Sequence, residues 1–217
     1  ALWNSSEIVE LDLAKGIVGR KLPLLKPANP IAPGTHPSAF AFSPDEKTLY
    51  VALSNRDVVA AVNVAQGQFA VKGYFDTRLP GQSYFGAEPV ALAVNGNGSR
   101  LYVANMASDA VAVIDTRKLT AKAVKQGMVE PDGFVPTEWM PISMAFIPAA
   151  SGGKLYVATD KGKGTGPNNF LQKRVEPESG ANRSGTTYIP TLLYGSLATL
   201  DESEIARNLM QWTADVL

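Results

Sequence analysis

The segment Leu49-Tyr50-Val51-Ala52 recurs in this chain at residues 101–104 and again at residues 155–158. The three copies start 52 and 54 residues apart. Short apolar strands that repeat at this interval are typical of propellers and of other repeat arrays. The recurrence therefore indicates the fold class before any single side chain is weighed.

Each copy is preceded by a proline, at positions 37, 89 and 141. An alternating apolar segment follows each proline, and turn formers such as Asn-Gly-Asn-Gly at 95–98 come before the Leu-Tyr-Val segment. This order of strand, tight turn and strand predicts a β-hairpin in every copy. A third strand is expected at residues 8–12, 59–63, 110–115 and 197–201, and a fourth, more polar strand at residues 68–74 and 121–126.

Four antiparallel strands per repeat are the composition of a propeller blade, so we predict an all-β protein with the β-propeller fold. These segments resemble the YVTN β-propeller repeat family, most closely over residues 89–116. The chain departs from the family pattern at Leu53 and Thr159, which stand where the motif has the asparagine that Asn105 keeps.

The last repeat carries a second resemblance. Residues 160–168 and 188–195 are similar to a segment of bacterial proteins that join a YVTN propeller to an alkaline-phosphatase-like phosphoesterase domain. That resemblance implies that any catalytic metals belong to the phosphoesterase domain and not to the propeller. It also implies an exported protein, so a periplasmic or extracellular location is expected.

The repeats fill only part of a ring. Propellers close with about four to eight blades, whereas this sequence supplies an incomplete arc of about three. We therefore expect the ring to be completed by missing blades of the same protein or by a protein partner; a smaller β-fold is the alternative. The predicted division is a partial propeller over residues 1–201, with blade segments at 1–30, 37–80, 89–130 and 141–201, and a C-terminal helix over residues 202–217 that could link to a further domain.

The composition narrows the function classes. Twenty basic and 20 acidic residues give a formal net charge of zero, so there is no strong field to attract nucleic acid or an anionic membrane. Cysteine is absent, which excludes disulfides, thiol catalysis and cysteine metal sites. No apolar run approaches the length of a transmembrane helix. We predict no cofactor and no metal site in this chain.

Two groups of residues are candidates for ligand binding. The segment Lys161-Gly162-Lys163-Gly164 follows a strand, and a glycine-rich nest with two lysines can hold an anion. It lacks the Gly-x-x-x-x-Gly-Lys-Ser/Thr pattern and the following helix of a phosphate loop, and a solvated loop is the alternative. His36, the single histidine, has Glu88 as its counterpart in the next repeat and Met140 in the one after. These positions would form a mixed site at the mouth of a central channel, or His36 is an ordinary loop residue.

Two sets of repeated residues are predicted to be structural. One is an Asx position that ends each third strand, where short side chains bond to nearby backbone amides; its members are Asp12, Asn63, Asp115 and Asp201. The other is the tyrosine of the Leu-Tyr-Val segment, which is expected to pack between blades; its members are Tyr50, Tyr102 and Tyr156.

The sequence favours a non-catalytic propeller that serves as a scaffold or binding module within a larger exported protein or complex, rather than an enzyme in its own right. One alternative is the propeller portion of a phosphoesterase-like or lactonase-like hydrolase. Another is an accessory subunit of an electron-transfer assembly, in which any cofactor would belong to a partner.

Overall fold

The computed structural model describes residues 1–150, 152–163 and 194–217. In these residues the strands form four antiparallel sheets, numbered as blades 1 to 4 in chain order. Blade 1 holds β1 (Glu7–Asp12) and β2 (Ile17–Pro23), and blade 2 holds β3 (Pro37–Phe42), β4 (Thr48–Leu53), β5 (Val58–Asn63) and β6 (Ala70–Asp76). Blade 3 holds β7 (Pro89–Val94), β8 (Arg100–Asn105), β9 (Ala110–Asp115) and β10 (Gly133–Pro136), and blade 4 holds β11 (Trp139–Ala149), β12 (Gly152–Gly162) and β13 (Ser196–Asp201).

The three Leu-Tyr-Val-Ala segments lie in β4, β8 and β12, each in a different sheet. Within each of these sheets the strands pair in sequence order, as a meander. The first strands β3, β7 and β11 contact one another in turn, so the blades stand side by side with their first strands along one side of the molecule. This arrangement confirms the predicted fold, a partial β-propeller.

The hydrophobic cores lie between the blades. Ile8 of blade 1 packs with Val51 of blade 2, and Tyr50 packs on the other face of blade 2 with Leu92 of blade 3. Tyr102 stacks on Phe146 of blade 4 with 5.8 Å between ring centroids. Because the side chains of a strand alternate between its two faces, one apolar strand can supply both of its neighbouring cores. The predicted inter-blade packing of Tyr50 and Tyr102 is thus observed.

The sequence prediction put the fourth strand of blade 3 at the wrong residues. Residues 121–126 form a short helix, α1 (Ala121–Gln126), and the fourth strand is β10, so blade 3 extends past residue 130 to Pro136. Alanine and lysine are strong helix formers, and the Thr120 hydroxyl accepts a hydrogen bond from the amide of Ala123 at 3.2 Å, which caps the helix. In blade 2, where no such cap precedes the segment, the fourth strand β6 lies near the expected place.

The C-terminal helix is observed as α2 (Glu202–Val216). It packs against blades 3 and 4: Ile205 is buried, and the Thr213 hydroxyl accepts a hydrogen bond from the Phe134 amide of β10 at 2.8 Å. The Asp201 side chain makes no capping bond and instead pairs with Lys154 at 3.2 Å. Neither α1 nor α2, the α-helices of the described residues, has the length and apolarity needed to cross a membrane.

Three of the four Asx residues have the predicted role. The side-chain oxygens of Asp12, Asn63 and Asp115 accept hydrogen bonds from backbone amides two or three residues further along the chain, at 3.0, 3.2 and 3.0 Å. Asp201 differs because α2 begins directly after it, so its blade has no turn of this kind at that point.

Candidate functional site

A hydrogen-bonded contact between neighbouring blades recurs in the structure. In blades 2 and 3 it is made by the residue directly before the third strand, and in blade 1 by the residue directly before β1. Ser6, Asp57 and Asp109 occupy this position with φ values of 56°, 51° and 49°. The buried Asp57 carboxylate accepts from the amides of Gly86 at 2.8 Å and Glu88 at 2.9 Å, both in the chain that leads into blade 3. We call this contact the blade latch. It fixes the entry of each following blade relative to the blade before it.

Asp109 and Ser6 make the same kind of contact. The Asp109 carboxylate accepts from the Met140 amide at 2.7 Å, and the Ser6 hydroxyl accepts from the Thr35 amide at 2.8 Å. Asparagine and aspartate tolerate the left-handed conformation better than most residues, which suits them to this position. The latch therefore uses a side chain that can both adopt the turn and accept backbone donors.

The latch binds the amides of two candidate positions, Glu88 and Met140, and the amide of Thr35, the neighbour of the third. His36, Glu88 and Met140 each precede the first strand of their blade, and all three adopt a left-handed backbone with φ of 52°, 55° and 60°. The carbonyl of His36 accepts from the Ser54 amide at 3.1 Å, and that of Glu88 accepts from the Met106 amide at 3.0 Å. Their equivalence, inferred from sequence spacing, extends to backbone conformation.

His36 and Glu88 share one cavity of about 410 Å³ between blades 2 and 3. Trp3 also lines it and stacks on the imidazole of His36, with 3.7 Å between centroids and 19° between the planes. Phe85 contributes a second aromatic ring, and both it and Trp3 are about half exposed, at 52% and 51%. We call this space the mouth cavity, because it opens where the first strands of two complete blades begin. It is lined by Trp3, His36, Ser38, Ser54, Asn55, Asp57, Phe85, Gly86, Glu88 and Val90.

Gly34 makes room for the histidine ring. A Cβ atom at this position would lie 2.9 Å from Nε2 of His36 and 3.2 Å from its Cδ2. These distances are shorter than an ordinary van der Waals contact, so a larger residue at position 34 would displace the imidazole from its stack on Trp3. The stack and the glycine therefore hold His36 at one wall of the mouth cavity.

The lysine and glycine candidates lie in blade 4. Gly162 ends β12 with φ of 50° and pairs with Trp139, the neighbour of Met140. A Cβ atom on Gly162 would lie 2.3 Å from the carbonyl oxygen of Tyr194, so the glycine is required by a close approach of backbone. Lys161 is partly buried and Lys163 is exposed. They lie at the end of blade 4 that carries Met140, but they do not line the mouth cavity; Gly164 lies outside the described residues.

Sequence analysis missed Trp3 and Phe85 as parts of this site. Asp57 was considered with Glu88 as a conceivable ligand of a divalent cation, but was not singled out. Trp3 lies in a turn before β1, and Phe85 lies in the connection between blades 2 and 3. Asp57 carried a usable signal, since Asp109 stands 52 residues later at the same place before a third strand. Within the described part of the chain, no group of three or more His, Cys, Asp or Glu side chains is arranged to hold a metal ion.

Comparison with solved structures returns partial matches. Hydrazine synthase from Kuenenia stuttgartiensis matches with 26% identity and a TM-score of 0.44, over 57% of this chain and 29% of that one. Virginiamycin B lyase from Staphylococcus aureus matches with 16% identity and a TM-score of 0.48, over 71% and 42%. A protein from Lactobacillus plantarum matches with 20% identity and a TM-score of 0.48, over 70% and 43%. This chain spans less than half of each of these structures.

No curated protein matches the chain significantly. A family model does: residues 13–163 match the model described as lactonase, 7-bladed β-propeller. The matched region runs from directly after β1 to the end of β12, and so includes β2, the two complete blades, His36 and Glu88. The chain therefore belongs to the lactonase family of seven-bladed β-propellers.

Proposed function

We propose that this chain is part of a non-catalytic binding module, within a larger exported protein or complex, that holds its ligand or partner at the mouth cavity. The observation that carries the proposal is the cavity itself, which places two half-exposed aromatic rings beside His36 and Glu88. Half-exposed aromatic side chains with a few fixed polar groups are characteristic of binding sites.

The rigidity of the cavity walls supports a role in binding. Glu88 and Gly86 are held by the Asp57 carboxylate, and His36 is held by its stack on Trp3. A site whose side chains are fixed before the ligand arrives loses less conformational entropy on binding. Binding loops positioned by a rigid scaffold are a common way for a fold of this kind to carry function.

We also propose that further blades of the same protein, or a protein partner, complete the ring. In blade 2, Phe40 and Phe42 lie on the face of the sheet that blade 1 covers, yet they remain 45% and 56% exposed. In the described part of blade 4, Leu197 on the outermost strand is 67% exposed. Further blades of the same protein, or a protein partner, would cover these apolar surfaces. Seven blades are the number in the family name.

A second candidate function is lactone hydrolysis, because the family model that matches residues 13–163 is named for it. In that case His36 or Glu88 would be the group that accepts a proton from the attacking water, since both line the same cavity. We also propose, from the sequence resemblance, that the blades are YVTN repeats and that the propeller is linked to a phosphoesterase domain. The full reading frame decides the link: a following domain rich in Asp, His and Thr metal ligands would support it.

An assay of hydrolysis separates binding from catalysis. The purified chain is incubated with δ-gluconolactone and with p-nitrophenyl phosphate, beside the variants His36→Ala and Glu88→Gln. We expect no hydrolysis above the uncatalysed rate in any sample. Hydrolysis by the wild-type chain that either substitution removes would overturn the proposal in favour of the hydrolase. Glu46→Gln, at the hairpin on the opposite end of blade 2, is the matched control for charge.

A further inference from the structure

We propose that the mouth cavity recognises a protonated organic amine, meaning an alkylammonium or guanidinium group on a small apolar body. This inference rests on the proposed binding role of the cavity and adds the chemical class of the ligand. The charge of the lining is the first argument. Asp57 and Glu88 are acidic, His36 is the one basic residue of the lining, and none of the lining residues is lysine or arginine. A cleft with one sign of charge attracts the opposite sign.

The hydrogen-bonding state of the lining is the second argument. The hydroxyls of Ser38 and Ser54 already donate to the carbonyls of Pro89 and His36, both at 3.0 Å. The Asn55 amide nitrogen donates to the carbonyl of Gly34 at 2.7 Å. A hydroxyl whose proton is engaged presents only oxygen lone pairs. With the Glu88 carboxylate, the hydroxyl oxygens supply acceptors for a ligand rich in N–H donors, while the His36 imidazole and the second N–H of Asn55 are side-chain donors in the lining.

The aromatic rings are the third argument. Trp3 and Phe85 both line the cavity, and each residue is about half exposed. One face of Trp3 is covered by its stack on His36, so the opposite face of Trp3 and the ring of Phe85 remain for a ligand. A cation over the face of an aromatic ring is attracted by the quadrupole of that ring, and tryptophan gives the strongest attraction. The same rings supply apolar area for the carbon body of the ligand.

The acceptor set favours an organic cation over a metal ion. Each oxygen of the Asp57 carboxylate accepts one backbone amide, from Gly86 or from Glu88, and the side chain is buried. Glu88 is only partly buried and is therefore the more accessible carboxylate of the lining. Calcium binds six to eight oxygens and usually several carboxylates, whereas an ammonium group needs one carboxylate and a few neutral acceptors.

The test compares three probes of similar size, n-butylammonium, n-butanol and butyrate, titrated into the full chain by calorimetry. We expect n-butylammonium to bind and the other two to bind at least about tenfold more weakly. Glu88→Gln should weaken n-butylammonium binding about tenfold or more, since it removes a charged acceptor and keeps the shape. Glu46→Gln, a charge control at the far end of blade 2, should leave the affinity unchanged.

Tryptophan variants locate the site. Trp3→Leu should weaken n-butylammonium binding about two- to fivefold. Trp139→Leu, which removes an equally exposed ring that does not line the cavity, should not. Thermal unfolding of each variant verifies that it is folded.

The outcomes separate this inference from the proposed function. If butyrate or butanol binds as tightly as the amine and Trp3→Leu weakens it, the cavity binds ligands but the cation assignment is wrong. The assignment also fails if Glu88→Gln has no effect, or if none of the three probes binds. The proposed function, in contrast, is overturned by hydrolysis that depends on His36 or Glu88.

Discussion

At the scale of single residues, Asp57 combines three constraints on which residue can occupy its position. Its side chain is buried, its backbone is left-handed with φ of 51°, and both carboxylate oxygens accept backbone amides from the next blade. A charged acceptor that binds two backbone amides contributes more than a neutral one. The residue thereby couples the turn of one blade to the entry of the next.

Replacement of Asp57 by glycine tests this coupling, because glycine keeps the left-handed backbone and removes only the carboxylate. Two amides then lose their acceptor, and we expect the free energy of unfolding to fall by about 2–3 kcal/mol. The measurement is urea denaturation followed by circular dichroism. Asp109→Gly is the matched variant: its carboxylate accepts one amide, that of Met140, so the loss should be about half as large. Equal losses in the two variants would contradict the role assigned to the latch.

Asp115 gives a prediction for pH. Hydrogen bonds from the Arg117 guanidinium, with a smaller contribution from its backbone amide, lower the pKa of Asp115 from 3.8 to about 2. The bonds favour the carboxylate, so their stabilisation is complete above pH 4 and is lost as the pH falls from about 4 to about 2. Because Arg117 is 69% exposed, screening limits the effect to about 0.5–1 kcal/mol.

The check on Asp115 is a comparison with Asp115→Asn by urea denaturation at pH 6 and near pH 2. The wild-type chain should be the more stable at pH 6, and the difference should shrink towards zero at the lower pH. A difference that stays constant over this range would show that the pair does not couple to folding.

At the scale of elements, α2 acts in part as a substitute for a neighbouring strand. The edge strand β10 directs its Phe134 amide to the Thr213 hydroxyl of the helix at 2.8 Å. Gly133 permits this approach, since a Cβ atom there would lie 2.4 Å from the hydroxyl oxygen of Thr213 and 2.8 Å from Leu209. A sheet edge with unpaired backbone groups is prone to pairing with other chains, and a helix laid over it prevents this.

Thr213→Val keeps the shape of the side chain and removes the acceptor. We expect the Phe134 amide to exchange with solvent faster, and the free energy of unfolding to fall by about 1–2 kcal/mol, because a partly buried donor loses its partner. Amide hydrogen exchange followed by NMR measures the exchange rate of the Phe134 amide, and urea denaturation measures the free energy of unfolding. Thr199→Val, at an exposed position on β13, is the control and should change neither.

At the scale of the whole molecule, we expect exposed apolar side chains on blade 2 to affect how the chain associates in solution. Phe40 and Phe42 form an exposed aromatic pair beside the core shared by blades 1 and 2. We expect the isolated 23.1 kDa chain to associate as its concentration rises, because association removes this apolar surface from water. Sedimentation velocity over a range of concentrations measures the mass.

The double variant Phe40→Ser, Phe42→Ser should shift the distribution towards the monomer mass. Ile31→Ser, which changes an apolar side chain that is 93% exposed on the loop before blade 2, should have a smaller effect. A wild-type chain that stays monomeric at every concentration would contradict the role given to Phe40 and Phe42.

Local repetition is what made the fold predictable from sequence. The Leu-Tyr-Val segments, the prolines before the first strands and the Asx positions each recur at the blade interval, so every copy supports the others. Residues 121–126 were wrongly predicted to be a strand. Their sequence does not match that of residues 68–74, the corresponding segment of blade 2, and local helix propensity together with the Thr120 cap favours a helix.

The site was predictable only in its repeated part. Spacing related His36 to Glu88, but the stack of Trp3 on His36 joins residues 33 positions apart that are not equivalent in the repeat. The lysine and glycine segment was chosen because a glycine-rich nest with two lysines after a strand can hold an anion. Lys161 and Lys163 lie in a different blade from the mouth cavity. Contacts between different repeats are set by packing, which spacing does not encode.

The left-handed residue before each first strand has a consequence for how such proteins diversify. Histidine, glutamate and methionine occupy that position in successive blades with φ values within 8° of one another. Their backbone is held by neighbours, so the side chain is not needed to shape the loop. Natural selection, or a designed library, can therefore change the side chain at this position by point substitution without changing the fold. Blades 2, 3 and 4 each offer one such position.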